Sequence, residues 1–265
     1  VYLGALIAFY FGAIIGSFLN VVVLRLNSGR TLSGRSQCFS CGRALTVIDL
    51  VPLLSYVALR GRCRGCGSRI SLQYPLVELL TGFLFAGVYL LGVGVIEMAF
   101  LFILISFFVA ISVYDLRHKI IPDTLVYPVA GVAFLYAGLN SYLLGSWYPL
   151  MSALLSGIGM ALPLYLLWKF SGGKAMGLGD SKLALAIGLT LAPSQAISAF
   201  VFSFWAGAFV GVLALFIARA SWREGGKSLT IKSEIPFAPF LILAWAIVTF
   251  LGIELPTIDT FFHAL

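Results

Sequence analysis

The chain predicts an all-α polytopic membrane protein, with about eight transmembrane helices and a small zinc-stapled cytoplasmic loop. Three observations carry that reading. Hydrophobic residues make up 61% of the 265 positions and mean hydropathy is +1.05, far above the usual composition of a soluble domain. Apolar runs near 20 residues recur along the chain, and each is long enough to cross a hydrocarbon core of ~30 Å. The four cysteines all stand in one loop, as two CxxC pairs.

The predicted spans fall at about residues 1–24, 74–92, 95–114, 124–144, 148–169, 181–192, 195–218 and 237–253. The first holds Asn20 and the Gly12/Gly16 pair and has no basic segment ahead of its long apolar run. It fits a packed helix better than a cleavable signal peptide. The sixth is short, and its Gly-rich approach suits a re-entrant turn lining a cavity.

Charge orients these spans. Eight crossings put the loops 25–73, 115–123, 169–180 and 219–236 on one side, and all 17 Lys and Arg stand in them or at their edges. The other side holds Glu97, Glu254 and Asp259 and no basic residue. The positive-inside rule makes the four loops cytoplasmic and leaves both termini outside. The formal net charge of +7 is therefore a topology signal and not a nucleic-acid footprint.

The first loop contains Cys38-Phe-Ser-Cys41 and Cys63-Arg-Gly-Cys66, separated by 21 residues, one beyond the usual zinc-site spacing. Four thiolates satisfy a tetrahedral Zn²⁺, each CxxC turn supplying two. A reducing compartment argues against disulfides. Structural zinc is the favoured reading, with an iron–sulfur or redox role as the alternative. A loop with few apolar residues to bury needs such a staple. Between the two pairs, Ile48–Leu59 alternates apolar and small residues, which places it at the membrane surface.

Asp115 and Asp180 are the candidate chemical groups. Asp115 closes the third span and opens Asp115-Leu-Arg-His-Lys-Ile-Ile-Pro-Asp123; Asp180 ends Gly177-Leu-Gly-Asp180 and opens the sixth span. A carboxylate at the edge of hydrocarbon is costly and marks function by default. The third span arrives at the cytoplasm and the sixth departs from it, so both carboxyls lie at one boundary. Two carboxyls sharing a low-dielectric site divide into one protonated and one ionised, a general acid and a general base on a shared water. Gly177 and Gly179 would let the backbone approach closely. Capping is the plainer reading for Asp180 and above all for Asp123, since both precede helices. Arg117, Lys119 and Lys182 read as topology determinants whose stems snorkel, and Lys182 also stands close enough in sequence to influence Asp180. Glu78, about one turn inside the second span, is either neutral, paired with a loop arginine, or part of a site.

The motifs Tyr114-Asp115-x-Arg117-x-x-x-Ile121-Pro122-Asp123 and Gly177-x-Gly179-Asp180-x-Lys182 resemble those of the type IV prepilin peptidases, the GxGD membrane aspartyl proteases. Gly16-Ser-Phe-Leu-Asn20, Pro52-Leu-Leu-Ser55-Tyr56, Tyr74-Pro-Leu-Val-Glu78 and Pro236-Phe237-Ala238-Pro239-Phe240 match in the same order, with Ala238 where that family usually has Gly. The resemblance implies Asp115 and Asp180 as the catalytic pair, with Asp123 outside it. It implies prepilins or secretion pseudopilins as substrates, cut where a basic leader meets an apolar helix. It also implies N-methylation of the new amino terminus with S-adenosylmethionine. No cofactor fold is visible in the sequence itself, because no strand leads into a GxGxxG turn. The expected division is a first helix over 1–24, a zinc-binding loop over 25–73 as the implied methyltransferase region, and a protease core over 74–265. Membrane lipids are the other expected partner. Two rivals remain: a presenilin-like protease cutting within spans, and a proton-coupled transporter, for which no charged residue stands near the middle of spans three to eight.

Overall fold

A computed structural model describes residues 2–29, 31–222 and 236–255. Arg30, the basic residues Arg223, Lys227 and Lys232 of the fourth predicted loop, and Asp259 lie outside the described residues. The described chain is all-helical, with two isolated antiparallel bridges and no strand. Its elements are α1 (Tyr2–Arg25), a 3₁₀ turn (Val47–Leu50), α2 (Leu54–Ala58), α3 (Gln73–Leu90), α4 (Val95–His118), α5 (Asp123–Leu144), α6 (Tyr148–Ser171), α7 (Leu178–Gly188), α8 (Pro193–Trp222) and α9 (Ala238–Leu251).

Each predicted span coincides with a helix. Six of them, α1, α3, α4, α5, α6 and α8, are long and apolar enough to cross a membrane. Two are shorter. At 1.5 Å per residue, the 11 residues of α7 reach only ~16 Å and the 14 of α9 ~21 Å. In α7, Leu183, Ala184, Ala186, Ile187 and Gly188 are buried, so its C-terminal half is enclosed by protein, which relaxes the need to span. The Gly-rich approach runs straight into α7, with Gly177 as its N-cap.

Two compact units divide the chain between Val113 and Tyr114, inside α4. In the first, small residues let α1 and α3 meet backbone to backbone. A Cβ added at Gly12 would stand 2.6 Å from the Thr81 carbonyl oxygen, and one at Gly16 would stand 2.9 Å from Glu78 Cα. Phe85 of α3 stacks on Phe102 of α4 with ring centroids 4.1 Å apart. The same close approach recurs in the second unit, where a Cβ on Gly188 of α7 would meet Ser156 O of α6 at 2.6 Å. Trp245 of α9 donates its indole N–H to the Thr190 hydroxyl at 2.9 Å, tying α9 to the end of α7.

One boundary differs in a useful way. The third span was expected to end at residue 114, but α4 continues to His118, closing with Lys119 N–H donating to the Asp115 carbonyl at 2.7 Å. Asp115 therefore lies one turn inside the helix, where its side chain is held by helical geometry and not by a loop.

Candidate active site and metal centre

In the second unit, Asp115 projects from the last turns of α4 and is buried, 4% exposed. Its Oδ2 accepts the backbone N–H of Ala238 at 3.2 Å. Ala238 is the first residue of α9 and fully buried, so the N-terminus of that helix, with its free amides and positive dipole end, faces a carboxylate. Asp180 stands in the first turn of α7, with the Gly177 N–H within reach of its carboxylate, and is close enough to Asp115 for the two charges to interact. Gly179 packs on Ile121: an added Cβ would lie 3.0 Å from Ile121 Cβ, so a side chain there would push Ile121 aside by a few tenths of an ångström. Gly179 is thus a contact point between the start of α7 and the segment after α4, while Gly177 caps α7.

The neighbouring acidic and basic residues resolve differently from the simplest sequence reading. The N-cap of α5 is Pro122, not Asp123, and Asp123 makes no cap; both its oxygens accept from Lys182 Nζ at 2.8 Å. Asp180 is likewise not an N-cap, since Gly177 holds that place. Lys182, whose charge also sits 5.5 Å from the centre of the Tyr127 ring, is thus engaged by Asp123 and not by Asp180. The Ala238 amide went unrecognised in the sequence because a backbone donor has no side-chain signature.

In the first unit, residues 37–44 and 62–69 fold as two matching knuckles. Gln37 bridges Ala44 and Arg62 bridges Arg69. Cys38 N–H donates to Arg43 O at 2.9 Å, and Cys63 N–H to Ser68 O at 2.8 Å. Gly42 and Gly67 follow the second cysteine of each pair at φ 69° and 71°, a left-handed position that strains a side chain. The four Sγ atoms lie within 4.8 Å of one another, with Cys38 and Cys66 3.9 Å apart. Thiolates at ~2.3 Å from a tetrahedral Zn²⁺ would be ~3.8 Å apart, so the donor set fits.

Its electrostatics also fit. The Cys41 and Ser40 amides and then the Ser68 hydroxyl draw the Cys38 thiol down to about 6, and Ser68 lowers Cys66. The Arg43 N–H favours the Cys41 thiolate, but the crowding of Cys66 and then of the other thiols pushes it up to about 11. A dication among them would remove that repulsion.

Two further partners complete this unit. Asp49, its side chain 3% exposed, takes the Thr46 amide at 3.1 Å and hydroxyl at 2.8 Å, and pairs with Arg43 and Arg64, both at 3.2 Å. It joins one arginine from each knuckle. Glu78 of α3 accepts the Leu53 N–H at 2.8 Å, so its partner is a backbone amide and not a loop arginine. Asn20 donates to Gly16 O and Tyr74 O and accepts from Gln73, linking α1 to the start of α3.

A multi-pass membrane protein with a buried Asp115, a half-buried Asp180 beside it and a four-cysteine centre is the class defined by this fold. The comparisons with known proteins give the family. Residues 10–91 match the bacterial peptidase A24 N-terminal domain and residues 102–212 the type IV leader peptidase family. A prepilin leader peptidase/N-methyltransferase of Myxococcus xanthus is 35% identical over 92% of this chain and 73% of its own length. One of Burkholderia pseudomallei is 34% identical over 92% and 84%, and one of Bacillus subtilis 33% over 92% and 93%. No solved structure matches. The chain belongs to the type IV leader peptidase family, and it is an enzyme of the prepilin peptidase kind.

Proposed function

We propose that the chain removes the basic leader of prepilins or secretion pseudopilins with Asp115 and Asp180 and then N-methylates the new amino terminus. The observation that supports this most is the approach of two carboxyls, one buried on α4 and one on the first turn of α7, at helix ends that the basic loops assign to the cytoplasmic face. A prepilin enters with its leader in the cytoplasm and its apolar helix in the bacterial inner membrane, so its junction reaches this level. The ionised aspartate takes a proton from water, the oxygen attacks the junction carbonyl, and the protonated aspartate gives its proton to the departing amine. The Ala238 amide orients Asp115. On this topology both ends of the chain lie outside.

Cys38, Cys41, Cys63 and Cys66 would hold a structural Zn²⁺, whose contribution is to fold the loop. For S-adenosylmethionine, none of the described residues form the strand–glycine-turn–helix that seats a nucleotide, and no step is assigned through it. Leader peptidase and presenilin-like action separate on the cut site. Mass spectrometry of products from purified enzyme and prepilin should find one cut at the junction of basic leader and apolar helix, with a methylated new N-terminus when S-adenosylmethionine is supplied. Multiple cuts within the apolar helix would contradict this reading.

A further inference from the structure

The connection between the two knuckles carries more apolar exposure than a water-facing loop tolerates. Val47, Ile48, Leu54 and Val57 are 82, 65, 56 and 73% exposed. So much exposed apolar surface in one short segment calls for an apolar neighbour. Its place along α3 is fixed by one bond. Leu53, held at φ 63° where a leucine is strained, gives its N–H to Glu78. Glu78 lies five residues into α3, ~7 Å along the axis. Even if its side chain reaches back towards the N-terminus, as helical side chains do, the turn stays beside the first turns of a membrane-spanning helix. Leu72 and Leu76, 65 and 61% exposed, offer an apolar surface at the same level. Immediately beyond α2, Arg60, Arg62 and Arg69 are exposed, while Arg64 is engaged by Asp49.

We propose that residues 47–58 form an interfacial membrane anchor. Their apolar side chains enter the boundary between headgroups and acyl chains, Arg60, Arg62 and Arg69 meet anionic phospholipid headgroups, and Glu78 sets the depth by holding the Leu53 amide. Apolar surface seated at the interface beside basic side chains is the pattern of a segment that lies on an anionic bilayer without crossing it. The anchor holds the four-cysteine loop against the membrane from which the substrate emerges. It requires only that α3 spans the bilayer, and so stands apart from the assignment of the aspartates.

The test uses the full chain in nanodiscs of mixed phosphatidylglycerol and phosphatidylcholine, with a photo-crosslinking amino acid in place of Ile48, Val57 or, as control, Ser40, exposed on the first knuckle. Mass spectrometry of the adducts should show several-fold more lipid at 48 and 57 than at 40, with phosphatidylglycerol enriched over its share of the bilayer. Changing Arg60, Arg62 and Arg69 to Gln should erase that enrichment. Glu78→Gln, whose amide oxygen still accepts the Leu53 N–H, should keep the adduct at 57; Glu78→Ala should lower it several-fold while bound metal is retained. Equal lipid adduct at 40 and 57 in the native chain would overturn the proposal. So would adducts at 48 and 57 formed with added prepilin in place of lipid.

Discussion

Around the four cysteines the chain has almost no apolar interior, whereas Asp115 and Asp180 are set among long helices with fully buried Leu183, Ile187 and Leu241 in the same unit. Between residues 26 and 72, Cys63 is the one described side chain among the buried apolar set. The knuckles are instead fixed by local hydrogen bonds, two left-handed glycines, an Asp49 shared by two arginines, and a thiol cluster shaped for a metal ion. The aspartates depend on geometry imposed from a distance: α4, α7 and the start of α9 come from three parts of the sequence. Losing a ligand should therefore unfold a loop, while losing an aspartate should stop chemistry in an intact fold.

The largest effect expected is on the aspartates. Asp115→Asn and Asp180→Asn should each lower single-turnover leader release by ~10²–10⁴-fold, since an amide cannot act as general acid or base. Helical content and bound metal should stay at native levels. A variant cleaving at a substantial rate would remove its aspartate from the mechanism.

Next in size is the Ala238 contact. Ala238→Gly keeps the amide that faces Asp115 and should cleave close to the native rate. Ala238→Leu must displace neighbours of a fully buried residue, at about 1–3 kcal/mol, and carries the amide with it. Displacing the amide that orients Asp115 should slow cleavage by roughly tenfold or more, a loss of about 1.4 kcal/mol of transition-state stabilisation per tenfold. Equal rates in the two variants would show that the amide does not orient Asp115.

Asp49 offers a smaller handle on the loop. Thr46, through its amide and hydroxyl, and then Arg64 and Arg43 hold its carboxyl below the ordinary 3.8, against the opposing effect of burial. A carboxyl lowered in the folded state contributes stability that is fully present above 3.8 and is lost as pH falls through the lower folded value. Asp49→Asn should weaken metal retention at neutral pH, where the native carboxylate is fully ionised, as read by competition with a chelator. The smallest effect should come from Asp123→Asn, which breaks an ion pair with both partners part-exposed. Such pairs contribute ~0–1 kcal/mol, so leader release should change by no more than a few-fold.

Much of this was legible from composition alone. Long apolar runs gave α1, α3, α4, α5, α6 and α8 to within a few residues, because hydrocarbon thickness sets a length that few other constraints do. The aspartates stood out because charge at that depth is costly, and the cysteines because two CxxC pairs offer four thiolates close to the spacing of a zinc site. What stayed hidden are contacts between distant groups without a side-chain signature. The Ala238 amide meets Asp115 across 123 residues, and the Leu53 amide meets Glu78 across 25. Asp123 was misread as a cap because capping is the local reading of an aspartate before a helix, and its real partner, Lys182, is 59 residues away. The short length of α7 was only half legible: its apolar run resembles a span, and burial against α6 is what allows it to stop early.

The separation of the two centres is tested most directly by Cys63→Ser, purified in detergent and dialysed against chelator, with metal content, leader release and methylation measured on one preparation. Roughly one zinc per native chain is expected for four thiolates, and none in the variant. The predicted result is that the metal-free variant still releases leader, far faster than Asp180→Asn, while its methylation falls at least as far as its cleavage. Leader release abolished as completely as in Asp180→Asn, with the helices intact, would contradict that separation.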